Sequence, residues 1–343
     1  MTKVLIVATS KYTRGGITAV IKQHQKGEQW KKFHCTWIGY HIDRSAALKL
    51  FFLFQALIRY VVLLPFYQIV HFQFSLRTDA KRTRAFFVLA KLLHKKTIVH
   101  LHCGDQLPEI WNETYEYLFT NAALILVLSE SIKKKVQGYI GKDYPIEVLY
   151  NPCVTLDETS VFENRRKEIL FAGRLDQNKG WYDVINAFSK IASKYKDWKL
   201  VFAGNGEVEQ AKALAKQNGI SKQCDFLGWV NGEQKKKAFL SASGLCLASY
   251  AEGFPMAVLD AWAYGLPVIT TPVGGIPDIA EDGKNLLLFN SGDVNTLASQ
   301  MEKFICNEEL RKQLSDESIH LAKTVFNEQT INKQLTRIYQ ELS

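Results

Sequence analysis

Several familiar metal and cofactor motifs are missing from this sequence of 343 residues. Its six cysteines are scattered, and no two of them have the C-x-x-C spacing of zinc and redox sites. There is no G-x-G-x-x-G fingerprint for a dinucleotide and no D-x-D pair for a metal beside a phosphate. These absences argue against a zinc protein and a dithiol enzyme, and scattered cysteines favour a reducing cytosol.

No secretory signal is expected, because residues 1–3 run directly into VLIVATS, which is typical of a first β-strand. We therefore expect a cytoplasmic protein. The composition, with 47% hydrophobic and 22% charged residues, is that of a globular protein and excludes a disordered or fibrous chain. The length suits two domains rather than one.

Positive charge is concentrated in the first half of the chain. Residues 1–150 contain 21 lysines and arginines against 10 acidic residues, whereas the remainder contains 22 against 24. The formal net charge of +9 therefore belongs to the first half. A basic half is expected to meet an anionic partner, such as a membrane surface, nucleic acid or an acidic acceptor.

Short apolar strands alternate with helical segments along both halves of the chain. This alternation predicts an α/β fold of two Rossmann-like domains, with parallel sheets that face each other across a cleft. Ligands of such sheets bind outside the carboxyl ends of the strands. The candidate site residues that directly follow predicted strands are Gly15, Gly16, His102, Arg174, Lys179 and Glu252.

Residues 248–279, reading ASYAEGFPMAVLDAWAYGLPVITTPVGGIPDI, carry the most specific pattern. They predict a strand, a loop, a helix opened by Pro255 and closed by Gly265, a second strand and a glycine pair. Backbone N–H groups near Gly253 and Phe254 stand at the start of this helix. Such groups attract anions, phosphates above all.

Two acidic residues lie in the same stretch, Glu252 in the loop and Asp260 eight residues further on. A carboxylate repels a phosphate, so the presence of two acids beside a predicted phosphate site requires an explanation. Either they cap the helix and face water, or they accept hydrogen bonds from neutral hydroxyls beside the phosphate. The ribose and sugar hydroxyls of a nucleotide-sugar would fit the second interpretation.

The stretch resembles the C-terminal signature of the retaining GT-B glycosyltransferases of family 4, also called glycosyl transferases group 1. That family has two glutamates in the spacing E-x7-E. Here Glu252 is followed by Asp260, and Asp278 stands in place of a later glutamate. Residues 173–180, reading GRLDQNKG, resemble the family's GRL…KG element. The resemblance covers most of the chain and is strongest over residues 168–289.

The resemblance implies that the charge on a leaving nucleoside diphosphate is neutralised by the protein, with no metal and no other cofactor. Arg174 and Lys179 would bind the diphosphate. Glu252 would touch the donor sugar or its diphosphate, and Asp260 would hold the ribose hydroxyls. The remaining implied donor contacts are Gly253, Phe254 and Pro255 around the phosphate and sugar, and Trp229 and Val230 near the base.

In the first half, the resemblance assigns Gly15 and Gly16 to a loop that approaches the donor diphosphate. It assigns His102 to a contact with the transferred sugar. Simpler interpretations are a plain turn for the glycines and a core or hydrogen-bonded histidine for His102. His100 shares a strand face with His102, but no third ligand with metal-binding spacing is nearby.

Two segments of the basic half are relevant to the expected membrane surface. Residues 46–64 predict a very apolar helix, but Lys49 and Arg59 would each cost roughly 2.5–3.5 kcal/mol at a bilayer centre, so a spanning helix is not expected. The helix either packs in the core or lies in the membrane interface. Residues 77–96 predict a basic amphipathic helix, which either is solvated or meets anionic headgroups. The lysines at 235–237 are expected on a solvated helix face.

The sequence, together with this resemblance, therefore predicts a metal-independent glycosyltransferase, and the resemblance implies that it is a retaining one. The expected domains are residues 1–155 for the acceptor and 166–325 for the nucleotide-sugar, with a helix at 326–343 that crosses back. A UDP-sugar is favoured as donor and a GDP-sugar is possible. The expected acceptor is lipid-linked or a polysaccharide, in cell-surface glycan biosynthesis. An anionic membrane surface is a further expected partner, and nucleic acid is not.

Two rival functions are compatible with parts of the sequence. A nucleotide-sugar epimerase could share the two-domain architecture and would isomerise the donor sugar without an acceptor. A basic membrane- or nucleic-acid-binding protein without catalysis would explain the charge. It would leave the motif at residues 252–260 without a role.

Overall fold

The computed structural model describes residues 2–42, 44–75, 77–156 and 162–343, which form two compact units. The first unit contains Met1–Pro152 together with Glu328–Ser343, and the second contains Cys153–Asn327. The stretch between the two predicted domains, residues 156–165, falls partly on residues 157–161, which lie outside the described residues.

The first unit is a six-stranded parallel sheet flanked by helices. Its strands are β1 (Val4–Ala8), β2 (Thr36–Gly39), β3 (Ile69–Phe74), β4 (Lys96–Leu101), β5 (Leu124–Val127) and β6 (Ile146–Val148). The helices between them are α1 (Gly16–His24), α2 (Glu28–Lys32), α3 (Ala46–Leu63), α4 (Arg77–Leu92), α5 (Leu107–Ile110), α6 (Glu113–Thr120) and α7 (Glu130–Ile140).

The strand order of the first sheet is β2-β1-β3-β4-β5-β6. All neighbouring strands are parallel, as the alternating strands and helices predict. Strands β1, β3 and β5 are buried along their whole length, which explains why they read as continuous apolar runs. Strand β2 lies on one side of β1 and β3 on the other, so the sheet changes its direction of growth at β1.

The second unit repeats this architecture with its own six-stranded parallel sheet. Its strands are β7 (Glu168–Ala172), β8 (Lys199–Ala203), β9 (Cys224–Phe226), β10 (Gly244–Leu247), β11 (Val268–Thr270) and β12 (Leu287–Leu288). Its helices are α8 (Trp181–Ile191), α9 (Val208–Gln217), α10 (Gly232–Ser241), α11 (Met256–Ala263), α12 (Val294–Cys306) and α13 (Glu308–Lys323). The strand order is β12-β11-β10-β7-β8-β9.

The last helix, α14 (Glu328–Glu341), belongs to the first unit although it follows the second in sequence. Its residues Ile331, Leu335 and Ile338 join the apolar core of the first sheet. The hydroxyl of Tyr339 lies 2.8 Å from Nδ1 of His71 on β3. This helix is therefore an integral layer of the first unit.

Helix α3, continued by the 3-10 turn Leu64–Phe66, leaves most of its apolar side chains exposed. Within it only Ala56 and Tyr60 are buried, whereas Leu50, Phe51 and Phe54 are 60–69% exposed. The expectation that this helix packs in the core is therefore wrong for most of its length. The segment Ala46–Phe66, with a mean hydropathy of 1.9, is long and apolar enough to cross a membrane by length and composition alone.

Candidate functional site

The two loops with the most specific motifs leave neighbouring strands of the second sheet. Strand β7 stands between β8 and β10, because the chain extends the sheet on one side of β7 first and on the other side later. The loops after β7 and β10 therefore lie side by side at the carboxyl ends of adjacent strands, where the sheet changes its direction of growth, the usual ligand position in such sheets. The first loop carries Arg174 and Lys179, and the second carries Glu252.

The loop after β7 is fixed by a side-chain cap and by a glycine. Oδ1 of Asp176 accepts a hydrogen bond of 3.1 Å from the N–H of Lys179, which caps the 3-10 turn Gln177–Lys179. Gly180 has a φ of 62°, and a Cβ there would lie 2.2 Å from the carbonyl oxygen of Ala248. Only glycine allows this close approach, which holds the loop against the end of β10.

The guanidinium of Arg174 is open to solvent. Its side chain is 73% exposed, and its Nε lies 3.8 Å from Oδ2 of Asp176. An ion pair this long and this exposed contributes little to stability. The planar fork of Arg174 is therefore available to bind phosphate oxygens.

The ammonium of Lys179 is bound directly to Oε1 of Glu252. Both side chains are largely buried, with exposed fractions of 26% and 11%. The hydroxyl of Ser249 donates a second hydrogen bond, of 2.8 Å, to the same Oε1. Because an ammonium has three donors, Lys179 keeps donors for a ligand while Glu252 fixes its position.

Further hydrogen bonds join the two loops. The N–H of Tyr250 donates to the carbonyl of Asn178 at 2.8 Å, and the Asn178 side-chain amide donates to the carbonyl of Ala251 at 2.9 Å. The hydroxyl of Tyr250 donates to Asp183 of α8 at 2.9 Å. Burial raises the pKa of Asp183, and this hydrogen bond opposes the rise. The loops therefore form one preorganised unit.

The predicted glycine pair packs against the loop that follows β10. Gly274 has a φ of 61°, and a Cβ there would lie 2.4 Å from the carbonyl oxygen of Gly253. The N–H of Gly275 donates to that same oxygen at 2.9 Å. The pair therefore packs against the loop that leads into α11.

Phe254 points into the core of the second unit. Its ring packs against Trp262 and Phe326, with centroid distances of 6.2 and 5.0 Å. Gly253, Phe254 and Pro255 are all buried, so a ligand can meet them mainly through backbone atoms. Pro255 precedes the first turn of α11 and, among the described residues, no side chain caps this end of the helix.

Asp260 forms an ion pair with a lysine, and this pairing was not predicted from the sequence. Nζ of Lys235, on α10, lies 2.6 Å from Oδ2 of Asp260. Burial raises the pKa of Asp260, and the nearby ammonium of Lys235 opposes the rise. The expectation of a solvated lysine face is therefore wrong for Lys235. A ribose hydroxyl at Asp260 would share the carboxylate with this ammonium or displace it.

Trp229 and Val230 lie in the loop between β9 and α10, two strands away from β7. Trp229 is 45% exposed and Val230 is half-buried. Gly228 and Gly232, with φ of 67° and 50°, turn the loop on either side of them. This arrangement leaves an aromatic surface at the same carboxyl edge of the sheet as Arg174.

In the first unit, Gly15 and Gly16 start helix α1 after strand β1, where the first sheet changes its direction of growth. Gly15 has extended backbone, with a φ of 160°. A Cβ at Gly15 would meet no atom of the described chain within 4 Å. The fold of the described residues therefore does not itself require glycine at this position.

His102 directly follows β4, and its Nε2 lies 3.1 Å from Oε1 of Gln73. The rings of His100 and His102 are 4.2 Å apart, so the two share one face of the strand as predicted. Burial lowers the pKa of His102 to about 3, with a smaller contribution from His24. The imidazole is therefore neutral at pH 7.

The ring of His100 also lies 5.4 Å from that of His71, which is on the neighbouring strand β3. The three histidines form a row across β3 and β4. Burial lowers the pKa of His71 and His100 well below the usual value. In the part of the chain that the structure describes, no group of three His, Cys, Asp or Glu side chains is arranged to hold a metal ion. The row is a stack of neutral rings.

Three further contacts of the site were not predicted. They are the bonds from Ser249 to Glu252, from Tyr250 to Asp183, and from Nε1 of Trp181 to Glu207, the last at 2.9 Å. The last two join residues that are 67 and 26 positions apart. Such partners have no local sequence signal. A search for polar residues directly after strands would have found Ser249 and Glu207.

Residues 155–320 match the model of a protein family described as glycosyl transferases group 1. The matched range contains Arg174, Lys179, Glu252 and Asp260. The resemblance to glycosyl transferases group 1 is therefore confirmed over this part of the chain.

Curated relatives match this chain over part of their length. The D-inositol 3-phosphate glycosyltransferase of Corynebacterium jeikeium is 30% identical over 259 residues, which are 68% of this chain and 61% of the relative. An alpha-1,4-N-acetyl-D-galactosaminyltransferase of Campylobacter jejuni is 29% identical over 211 residues, 60% of this chain and 57% of the relative. Its name gives a GalNAc disaccharide on diNAcBac-PP-undecaprenol as the acceptor. The chain thus spans about 57–61% of the length of these two relatives.

Among solved structures, the chain resembles Anabaena Alr3699/HepE in complex with UDP-glucose. The TM-score is 0.81 at 17% sequence identity, and the likeness covers 99% of this chain and 100% of the other. At this identity the likeness concerns the fold. It confirms the predicted GT-B class, with two units that are each built on a six-stranded parallel sheet.

Proposed function

We propose that the protein transfers a sugar from a nucleotide-sugar, with a UDP-sugar favoured over a GDP-sugar. The observation that carries this proposal is the convergence of Arg174, Lys179 and Glu252 at the carboxyl ends of β7 and β10. These residues lie within the range that matches the glycosyltransferase family. The preference for UDP is supported by the likeness in fold to a protein solved with UDP-glucose.

In this proposal, protein groups alone stabilise the departing diphosphate. The exposed fork of Arg174 and the remaining donors of Lys179 bind its oxygens as negative charge develops. Glu252 keeps the Lys179 ammonium in place without reorganisation during the reaction. The backbone at the start of α11 adds the positive end of a helix. No metal is required by this arrangement.

We further propose that the anomeric configuration is retained. The acceptor oxygen bonds to the anomeric carbon from the face that the phosphate leaves, and the departing phosphate oxygen takes the acceptor proton. A double displacement would instead need a free carboxylate nucleophile. Glu252 is engaged by Lys179 and Asp260 by Lys235, which favours the single-face reaction.

The remaining donor contacts follow from the same proposal. Asp260 holds the ribose hydroxyls, and Trp229 with Val230 borders the base. In the first unit, the loop at Gly15-Gly16 and the neutral imidazole of His102 are the proposed donor contacts. His102 offers one donor and one acceptor, of which Gln73 already engages Nε2.

We propose a lipid-linked or polysaccharide acceptor and a cytoplasmic protein that binds the inner face of a membrane peripherally. The basic first half and the exposed apolar face of α3 support this part, as does the lipid-linked acceptor of the Campylobacter jejuni relative.

Flotation with anionic liposomes tests the proposed membrane binding. The double variant Phe51→Gln, Phe54→Gln should lose binding, and Leu227→Gln, at a position of the second unit that is 48% exposed, should retain it. Failure of the unmodified protein to float at low salt would contradict the membrane part.

A thermal-shift screen of nucleoside diphosphates and nucleotide-sugars tests the donor site. We expect UDP to stabilise the protein more than ADP or CDP.

Incubation with the preferred nucleotide-sugar alone separates transfer from the epimerase rival. An isomerised sugar without any acceptor would support the epimerase, whereas sugar transfer that depends on an acceptor supports the proposal.

A further inference from the structure

A groove runs between the edge strand β2 and the helix α3 in the first unit. It encloses about 480 Å³, which lies within the range of about 300–1,000 Å³ typical of small-molecule sites. The residues that matter for its chemistry are Lys11, Trp30, Trp37, Gly39, Phe52 and Arg59. We call this cavity the β2–α3 groove.

The groove has two chemically different ends. Lys11 and Gly39 mark the end at which β1 and β2 finish, beside the loop that leads to α1. Trp30 and Arg59 mark the opposite end, because α3 starts after β2 and runs back along it. Residues 35–39 all line the groove, so at about 3.3 Å per residue it is roughly 13 Å long.

The edge of β2 adds backbone donors to the groove. The N–H of Tyr40 donates to the carbonyl of Ala8 at 3.0 Å, so it points towards β1. Successive residues of a strand direct their N–H groups to alternate sides, and an edge strand has no neighbour on one side. The N–H groups of Trp37 and Gly39 are therefore directed away from β1, along the open edge.

The charge of the groove is positive at both ends. Among the described residues, its lining contains Lys11 and Arg59 but no aspartate or glutamate. Lys11 lies over the ring of its neighbour Tyr12, 5.2 Å from the ring centre. Exposed cations with backbone donors and no carboxylate between them suit a multiply charged oxyanion such as phosphate.

The helix that roofs the groove is apolar on its outer side. Phe52 and Arg59 face the groove, whereas Phe54, Ile58 and Val62 are 51–62% exposed on neighbouring positions of the same helix. A ligand with an anionic head and a hydrocarbon chain can therefore lie with its head in the groove and its chain across α3. A water-soluble glycan would leave this apolar surface uncovered.

We propose that the β2–α3 groove binds the sugar-diphosphate head of an amphiphilic acceptor, whose hydrocarbon chain lies along the outer face of α3. The diphosphate lies at the Arg59 end. The sugar extends past Trp37 towards Lys11, so that its hydroxyl reaches the strand ends where ligands of this fold bind. This inference rests on the proposed function, because it names the class of acceptor for that reaction.

The test is direct binding of farnesyl diphosphate to the full chain, measured by titration calorimetry below the micelle concentration of the probe. Saturating UDP is present to occupy the donor site of the second unit. Farnesol and inorganic diphosphate are titrated separately. We expect both to bind at least about tenfold more weakly than farnesyl diphosphate, because each lacks one half of the recognised chemistry.

Matched variants locate the site. Arg59→Gln should weaken farnesyl diphosphate binding about tenfold or more, and Lys49→Gln, on the same helix but outside the groove lining, should change it less than twofold. Phe54→Gln should weaken binding of farnesyl diphosphate but not of inorganic diphosphate. Equal losses in Arg59→Gln and Lys49→Gln would overturn the inference, since they would indicate general electrostatic attraction. Equal affinity for farnesol, or no binding of farnesyl diphosphate, would overturn it as well.

Stabilisation by UDP, measured for each variant, keeps the two proposals apart. Retained stabilisation without farnesyl diphosphate binding would contradict the groove inference and leave the glycosyltransferase proposal intact. Absent stabilisation by any nucleotide would contradict the proposed donor site, whatever the groove binds.

Discussion

At the scale of single residues, two acids of the second unit are held by lysines that come from other segments. Lys179 binds Glu252, and Lys235 binds Asp260. A buried carboxylate without a partner is strongly destabilising. The lysines therefore place a positive charge beside both acids before any ligand binds.

Replacing Lys235 should expose this dependence. In Lys235→Ala, burial would raise the pKa of Asp260 further, because the opposing ammonium is gone. An acid whose folded pKa exceeds its unfolded value loses stability as the pH rises through that range. We expect a loss of about 1–3 kcal/mol at pH 8 and a smaller loss at pH 5. Urea unfolding at the two pH values measures the difference.

Lys237→Ala is the matched control, because Lys237 is exposed on the same helix. Its free energy of unfolding should change by less than about 0.5 kcal/mol. A Lys235→Ala loss that is equal at both pH values would contradict the role assigned to the ion pair.

The sequence indicated candidate residues for this site more readily than it indicated their partners. Arg174, Lys179 and Glu252 stand out because each directly follows a recognisable strand and belongs to a motif. Lys235 precedes Asp260 by 25 positions and lies in a run of three lysines. Nothing in that run distinguishes Lys235, which contacts Asp260 of α11, from its two neighbours.

At the scale of elements, the site depends on loops that approach each other more closely than side chains allow. Gly180 meets the carbonyl of Ala248, and Gly274 meets that of Gly253. These contacts hold the loop after β7, the loop after β10 and the glycine pair together. The positions of these loops are therefore fixed by backbone contacts.

Gly180→Ala should destabilise the second unit by about 1–3 kcal/mol, because a Cβ would collide with the carbonyl of Ala248. Gly219→Ala is the matched control. Gly219 also has a positive φ, of 72°, but a Cβ there would meet no atom within 4 Å, so it reports the backbone strain alone. Denaturant unfolding of both variants gives the comparison. An equal loss in the two would show that the close approach of the loops does not matter.

The ends of α3 and α11 were predictable to within about two residues, but the environment of α3 was not. Its run of apolar residues is typical of a buried helix, and the cations within it do not show which face is covered. Which positions of α3 are exposed depends on how the helix packs against the sheet and α4, and the sequence alone does not show this packing. Helix α2, with five residues, is too short to show a hydrophobic period.

At the scale of the whole molecule, two successive units repeat one plan of alternating strands and helices. That rhythm was sufficient to predict the α/β class, since parallel strands need crossover connections. The place of α14 in the first unit could not follow from periodicity, because it depends on contacts such as that of Tyr339 with His71.

The first unit should lose stability in mild acid. His24, His71 and His100 are buried, and burial lowers the pKa of His24 to about 4 and of the other two well below the usual value. The unfolded chain binds protons near pH 6.5, so stability is complete above that pH and falls below it. At pH 5 the loss is up to about 2 kcal/mol for each histidine. Denaturant unfolding at pH 7.5 and pH 5 measures it.

A histidine variant tests the assignment. His100→Leu should reduce the pH dependence, while His320→Gln, at an exposed position of the second unit, should leave it unchanged. An unaltered pH dependence in His100→Leu would exclude His100 as a source of the effect.

The most direct test of the central claim is turnover of a UDP-sugar, followed as UDP released in the presence of a membrane lipid extract, with and without a chelator. Arg174→Ala and Lys179→Ala should each lower kcat about 100-fold or more, the usual cost of removing one group that stabilises a developing anion. Lys167→Ala, which removes an exposed cation at the opposite end of β7, should stay within about twofold, and the chelator should have no effect. Full turnover in Arg174→Ala, or loss of turnover with the chelator, would contradict a donor site that works through protein cations alone.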